Sequence, residues 1–392
     1  MIYNFDEVID RHGTRCTKWD NLKARMGRDD VMALWVADCE FACSKPIQDA
    51  VAQRSAHPVF GYSFVPDEFF SATKNWVAKR HGWEVPEDCI RFFPGIVPFI
   101  GVCVRALTQP GDHILIQPPV YHPFATTIRE NGREVRSCPL IMCNGRYGID
   151  FQTLEAALAD EQVKMMILCN PHNPVGRVYT RQELSTISAL CIKYGVILVS
   201  DEIHSDVIYS GHKHIPVASI NHDAAMNTVT CISPSKAFNI AGLKASGILI
   251  MNPDLREKLD QEISRVHVST PNAFAMAAYL AAYNESEDYL DQMVAYLQKN
   301  RDFLAAWLQE HTPKIKLIPS EGTYLMWLDC TELGIGGDDL HGFFLNEARV
   351  ALNKGEIFGS EGRFFVRMNI ACPRSMLEKA LGQIEEAYKA RF

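Results

Sequence analysis

The chain has no basic excess. Its 392 residues carry 39 Lys and Arg against 47 Asp and Glu, a formal charge of -8 at pH 7, and no arginine-rich tail or lysine stripe offsets that balance. A surface of this sign repels phosphate backbones and anionic headgroups, so neither nucleic acid nor membrane is an expected partner. Long apolar runs are missing too. The longest, residues 92–104, is broken by Pro94 and Pro98 and falls short of the roughly 20 residues that a bilayer-crossing helix needs. Residues 1–10 hold acids and no apolar core of signal-peptide length, which makes the cytoplasm the expected compartment. The 12 cysteines include no Cys-x-x-Cys pair with metal-ligand spacing. Several fall in apolar segments, as Cys169, Cys191 and Cys231 do, so they are expected to be reduced core residues with no metal site. The absence of low-complexity tracts and internal repeats excludes a solenoid.

What is present is ample apolar material, 47% of residues, enough to bury a core in two or three lobes. Apolar, β-rich runs recur at 113–117, 134–138, 165–169, 196–200, 228–232 and 247–251, with helix-forming stretches between them. That rhythm predicts an α/β fold, a mostly parallel sheet flanked by helices. Strands covered on both sides account for unbroken runs such as Val196-Ile197-Leu198-Val199. Further on, residues 285–311 predict a long amphipathic helix, and residues 315–318, 324–328 and 364–369 predict strands of a smaller α+β domain. Residues 1–45 show little periodicity and are expected to wrap that domain as an arm and to form part of it. The expected division is this arm, a large domain over 46–288 and the C-terminal small domain over 289–392.

The most informative stretch closes the run 228–232. It reads Ser233-Pro234-Ser235-Lys236, and Lys244 lies eight residues beyond that lysine. A strand that ends this way delivers an amine to the carboxyl edge of the sheet, where open α/β folds bind ligands. Such an amine can form a Schiff base if burial or a nearby cation lowers its pKa. Lys244 supplies a cation, and with Ser233 and Ser235 it offers a phosphate site. Pyridoxal 5'-phosphate requires both an amine and a phosphate site, whereas a surface lysine after a strand is the plainer alternative.

Other strand ends converge on the same edge. The run 165–169 leads into Asn170-Pro171-His172-Asn173-Pro174-Val175-Gly176, where prolines and a glycine set the backbone and present the Asn173 amide as a donor to an anionic oxygen, or as an Asx turn serving only its loop. The run 196–200 leads into Asp201-Glu202-Ile203-His204. A carboxylate after apolar β residues needs a cation such as a pyridinium nitrogen, unless Asp201 merely caps the next helix. After 113–117, Tyr121 could stack on a planar heterocycle or simply pack. Upstream, the backbone amides of Gly95, Ile96 and Val97 precede an apolar helix and could hold phosphate oxygens. An amine, an acid, an amide, a ring and a phosphate cradle at the ends of strands of one sheet make chance placement improbable.

These residues resemble the fold-type I pyridoxal-phosphate enzymes of the class I/II aminotransferase family over essentially the whole chain. The motifs are Asn170 to Gly176, Asp201 to His204, Ser233 to Lys236 with Lys244, and Phe365-Val366-Arg367-Met368-Asn369. The resemblance implies a PLP-dependent transferase-like fold in which Lys236 holds the cofactor, Asp201 its pyridine nitrogen and Asn173 its phenolic oxygen. Lys236, Tyr121 and Asp201 are then the expected catalytic set, and Arg367, Asn173 and the Ala37 backbone the expected substrate contacts. By the same resemblance Tyr62, in Phe60-Gly61-Tyr62, reaches the phosphate of a neighbouring subunit's cofactor, which implies a homodimer with shared sites. Within the family the chain looks most like the cystathionine β-lyase branch that includes the maltose-regulator type. The carriers are Lys18-Trp19-Asp20, Leu34-Trp35-Val36-Ala37-Asp38, His57 to Tyr62, Asp201 to Asp206 and Asn369-Ile370-Ala371-Cys372-Pro373-Arg374. Histidine at 204, where aminotransferases commonly have tyrosine, favours the lyase branch and could tune the phenolate, a satisfied helix histidine being the alternative. Cys39-Glu40 departs from the methionine and aspartate usual in that branch, which bears on substrate preference.

The implied reaction is α-proton removal by Lys236, then loss of a thiolate from Cβ of L-cystathionine or a related cysteine S-conjugate, giving a thiol, pyruvate and ammonia. An aminotransferase using the same residues is the nearest rival. A regulatory protein-binding role, as the maltose-regulator type implies, is the rival from another class. Arg265 is either a contact to the distal end of a substrate across a dimer or an ordinary interface arginine.

Overall fold

Seven strands form the central sheet of the computed structural model, which describes residues 1–392. Their spatial order is Ile90–Phe93, Ser246–Ile250, Thr228–Ile232, Ile197–Asp201, Val163–Cys169, His113–Ile116 and Glu134–Ser137. Ser246–Ile250 is antiparallel to both neighbours, and every other pairing in the sheet is parallel. Successive residues of a strand point to opposite faces, and the two faces are packed differently. Ile167 and Val199 join the core under helices Ile96–Leu107 and Pro253–Val266, whereas Leu168 and Leu198 join the core under Phe151–Leu158 and Arg181–Lys193. This two-sided cover is why the strands read as continuous apolar runs.

The expected mostly parallel sheet is therefore present, with one strand more than the periodicity indicates. Ile90–Phe93 is a four-residue edge strand. It lies partly inside the apolar stretch 92–104 and is cut off by Pro94-Gly95, so no run of its own marks it. A second sheet of four short antiparallel strands is ordered Lys316–Leu317, Leu325–Asp329, Phe365–Asn369 and Asn353–Lys354. Asn353–Lys354 is too short for any alternation to reveal. The long helix runs from Glu287 to His311, and a separate helix, Ala275–Glu285, precedes it. They part at the fully buried Ser286, whose hydroxyl meets Ser44 Oγ at 2.6 Å and donates to the Ala281 carbonyl at 2.8 Å.

The first residues pack as an arm on the long helix. The Met1 ammonium pairs with Asp288, and the Phe5 ring lies 5.1 Å from Phe41 and 5.5 Å from Tyr296. Met32–Ala33 then pairs in parallel with Val350–Ala351. All cysteines are unbridged, and no helix is long and apolar enough to cross a membrane.

A glycine joins the two sheets. Gly176 closes the Asn170–Gly176 turn at φ +71°, and its carbonyl accepts from the backbone N–H of Glu321 at 2.8 Å and of Gly322 at 3.1 Å. A Cβ there would stand 2.9 Å from the Ser320 Cβ. Gly176→Ala combines a disfavoured backbone with this clash and should cost roughly 1–3 kcal/mol. Urea denaturation checks this, and an unchanged midpoint would show that the joint yields freely.

Candidate active site

Each element of the site begins where a strand stops. Asp201 is the last residue of Ile197–Asp201, Lys236 follows Thr228–Ile232, Asn173 follows Val163–Cys169, Tyr121 follows His113–Ile116, and Gly95 to Val97 follow Ile90–Phe93. Parallel strands end on one edge, so these residues meet. With Ala37, His204, Ser235 and Lys244 they line one cavity of about 410 Å³. The single antiparallel strand contributes from its opposite end, because Ser246 and Lys244 lie at its start.

The charges in this cavity are unbalanced. The Lys236 ammonium donates to the Ala37 carbonyl at 2.6 Å, and burial pushes its pKa down against the pull of Asp38. Lys244 sits in a left-handed conformation at φ 50° and takes part in no ion pair. Arg367 lies beside the cavity, 4% exposed and without a carboxylate partner. Its Nη1 donates to Asn173 Oδ1 at 2.9 Å, and its Nη2 donates to Asn353 Oδ1 at 2.6 Å and to the Trp35 carbonyl at 3.1 Å. Its face covers the Phe358 ring at 4.7 Å, and burial lowers its pKa to about 10. A guanidinium held by neutral acceptors alone is built to receive an anion. Because Asn173 Oδ1 is engaged by Arg367, its amide NH₂ is the free end, as a donor role requires.

Asp201 is the one carboxylate of the lining. It accepts the Ile203 N–H at 3.2 Å and caps no helix, and burial raises its pKa to about 7. His204 is buried with Nδ1 unpartnered, and burial holds its pKa well below the usual imidazole value, so the ring is neutral. The Tyr324 ring meets it edge-on at 5.8 Å. Burial also raises the pKa of Tyr121, whose ring packs edge-on against Phe124 at 5.7 Å.

Ser233, Gly95, Tyr62 and Arg265 present no free polar group to this cavity. Ser233 does not line the cavity; its hydroxyl donates to the Ala245 carbonyl at 2.7 Å and lies 2.7 Å from Ser235 Oγ, so it orients Ser235 instead. The Gly95 N–H is engaged by the Phe93 carbonyl at 2.9 Å, which leaves the amides of Ile96 and Val97 open at the helix start. Tyr62 is fully exposed and takes no part in the cavity of its own chain. Arg265 reaches Glu262 at 3.3 Å and is largely exposed, away from the cavity. Sequence patterning missed Asn353, Tyr324 and Phe358. Asn353 is in a two-residue strand and carries no pattern; Tyr324 and Phe358 are aromatics that look like core until their neighbours are known.

The chain belongs to the aminotransferase class I and II family, whose model matches residues 30–384. It is 40% identical to cystathionine beta-lyase PatB of Bacillus subtilis, over 98% of this chain and 99% of that one. Among solved structures it is similar to the pyridoxal-5'-phosphate-containing cystalysin of Treponema denticola, at TM-score 0.96 and 34% identity over 100% of both chains. The PLP-bound C-S lyase of Staphylococcus hominis superposes at TM-score 0.92 and 33% identity, again over 100% of both chains.

The Asp201 carboxyl makes stability depend on pH. Its ordinary value is 3.8 and its folded value about 7, so between these the folded chain holds a proton that the unfolded chain releases, and stability falls as pH rises. In cofactor-free protein, Asp201→Asn should match wild type in urea at about pH 4 and exceed it at about pH 8. No gain at the higher pH would mean that the carboxyl is not desolvated.

Proposed function

We propose that this chain is a pyridoxal-phosphate-dependent carbon-sulfur β-lyase that cleaves L-cystathionine or related cysteine S-conjugates to a thiol, pyruvate and ammonia. The observation that carries this reading is the charge pattern of one cavity. Lys236, Lys244 and the adjoining Arg367 face a single carboxylate, Asp201, beside open backbone amides. The cofactor and an amino acid together bring what those groups lack. The phosphate suits the Ile96 and Val97 amides, Ser235 and Lys244, and a protonated pyridine nitrogen suits the buried Asp201. The phenolic oxygen suits the free Asn173 amide, and the ring face suits Tyr121. The names of the full-length relatives, a cystathionine beta-lyase and a C-S lyase, support elimination over amino-group transfer.

When bound, pyridoxal phosphate holds the substrate amino group and takes up the electron pair left by the departing α-proton. The protein does the rest. Arg367 receives the α-carboxylate in a planar fork, which fixes the Cα–H bond relative to the Lys236 amine. Lys236, with its pKa lowered by burial, accepts that proton. Asp201 stays ionised once a cation faces it. His204, neutral and with a free ring nitrogen, neither competes for the proton nor adds charge.

A homodimer with shared sites is part of this reading. The segment bearing Val59, Phe60, Tyr62 and Phe64 exposes its apolar side chains, which suits burial against a second copy and delivery of Tyr62 to that copy's phosphate. The division at 45 and 288 and a cytoplasmic location, where free cysteines persist, belong to the same proposal.

Purified holoenzyme given L-cystathionine without any keto acid should release pyruvate and thiol continuously. A single turnover without thiol release would make it an aminotransferase. Lys236→Ala should abolish turnover, and Arg367→Lys should raise KM on the order of tenfold or more by losing the two-point grip. Steady-state kinetics checks both, and an Arg367→Lys enzyme with unchanged KM would overturn the carboxylate role.

A further inference from the structure

Lys18-Trp19 and Glu40 stand out in the sequence, yet none of the three lines the cavity. In the structure they form one buried cluster. Lys18 is 0% exposed and pairs with Glu40 at 2.6 Å and with Asp38 at 3.5 Å. Arg11 reaches Asp38 at 2.7 Å and Glu40 at 3.0 Å, and the Trp19 indole N–H donates to the other Glu40 oxygen at 3.2 Å. Two cations thus balance two carboxylates within the arm. Side chains left uncompensated at such depth are costly, so the four hold one arrangement.

That arrangement fixes a stretch of backbone on which the reactive groups rest. Trp35 O accepts from Arg367, Ala37 O accepts from Lys236 and, at 3.2 Å, from the Tyr324 hydroxyl. The Asn369 amide donates to the carbonyls of Val36 and Asp38 at 2.6 and 2.7 Å, and Asn239 bonds the Cys39 N–H and carbonyl. The titratable and charged groups around the Lys236 amine are Asp38 and Cys39 from the arm, Arg367 and Tyr324 from the second sheet, and Asp201, His204, Tyr121 and Lys244 from the strand-end loops. Asp38 is the one carboxylate that belongs to both the cluster and this set.

We propose that Lys18, Arg11 and Glu40 are positioning residues that hold the Ala37 carbonyl against the Lys236 amine and fix the Asp38 carboxylate on the very next residue, so that the charge balance of the arm sets how readily that amine gives up its proton. This deepens the assignment of Lys236 as the base. Removing Glu40 turns Lys18 and Arg11 fully onto Asp38 and masks it from Lys236. Removing Lys18 leaves Asp38 less compensated, so its field on Lys236 grows.

The test is competitive labelling of Lys236 with trace acetic anhydride across pH in the full chain, freed of cofactor by hydroxylamine, with the peptide read by mass spectrometry. Glu40→Gln should lower the labelling midpoint and Lys18→Met should raise it, each by about 0.5 pH unit or more, and the double variant should return toward wild type. Opposite shifts with mutual cancellation are what a merely structural role would not produce. Should a variant of the buried pair fail to fold, Arg11→Gln, at a part-exposed position, should raise the midpoint in the same way as Lys18→Met. Midpoints that stay at the wild-type value, or that move in one direction for both charge signs, would overturn the proposal. The labelling does not depend on which reaction the holoenzyme performs, so a failed lyase assay leaves this outcome readable.

Discussion

Everything around this cavity depends on keeping positive charge buried without an answering acid. A lone guanidinium in a protein interior is unfavourable unless neutral oxygens satisfy its hydrogens. Arg367 has its two Nη groups engaged in that way by Asn173, Asn353 and the Trp35 carbonyl, with the Phe358 ring beneath it, while its Nε is buried without a partner. Those partners come from the main-sheet loop, the second sheet, the arm and the 310 turn Gly355–Phe358. The arginine therefore ties the main-sheet loop, the second sheet and the arm together beside the site. The same logic applies to Lys236, whose amine rests on a carbonyl instead of a carboxylate. Both groups keep their capacity for an anion or an electrophile because no carboxylate pairs with either of them directly.

The sheet was largely legible because two-sided burial leaves a strong mark. Runs such as 165–169 and 196–200 are continuous and give way abruptly to polar residues, so Asn173, Asp201 and Lys236 could be placed at one edge before any geometry was known. Ile90–Phe93 and Asn353–Lys354 left no such mark for the converse reason, since two to four residues hold too little pattern to separate from a neighbouring loop or helix. Hydroxyl and amide partners were the least readable. Nothing in Ser233-Pro234-Ser235 says which serine faces the cavity, and only the fold shows that the Ala245 carbonyl captures the first. The same is true of Gly95, whose N–H is turned back onto Phe93.

The arm shows how a segment with weak periodicity can still be strongly determined. It has few regular elements, but it is held by charge pairs, by rings against the long helix and by a two-residue parallel bridge to Val350–Ala351. Such interactions carry no repeat, so they read as irregular loop in the sequence. Here they replace secondary structure as the means of fixing a backbone.

The one reversed strand in the main sheet has a consequence for how the site comes together. Thr228–Ile232 and Ser246–Ile250 pair antiparallel, and residues 233–245 connect them. Lys236 and Lys244 both lie on that connection, so the two lysines are brought to the same edge by a contact between chain neighbours. A parallel crossover would have needed a helix between them and a much longer loop closure. The lysine half of the cavity therefore belongs to the low-contact-order part of the fold, able to form as soon as this strand pair does. Arg367 can join only after the C-terminal chain has been made and docked.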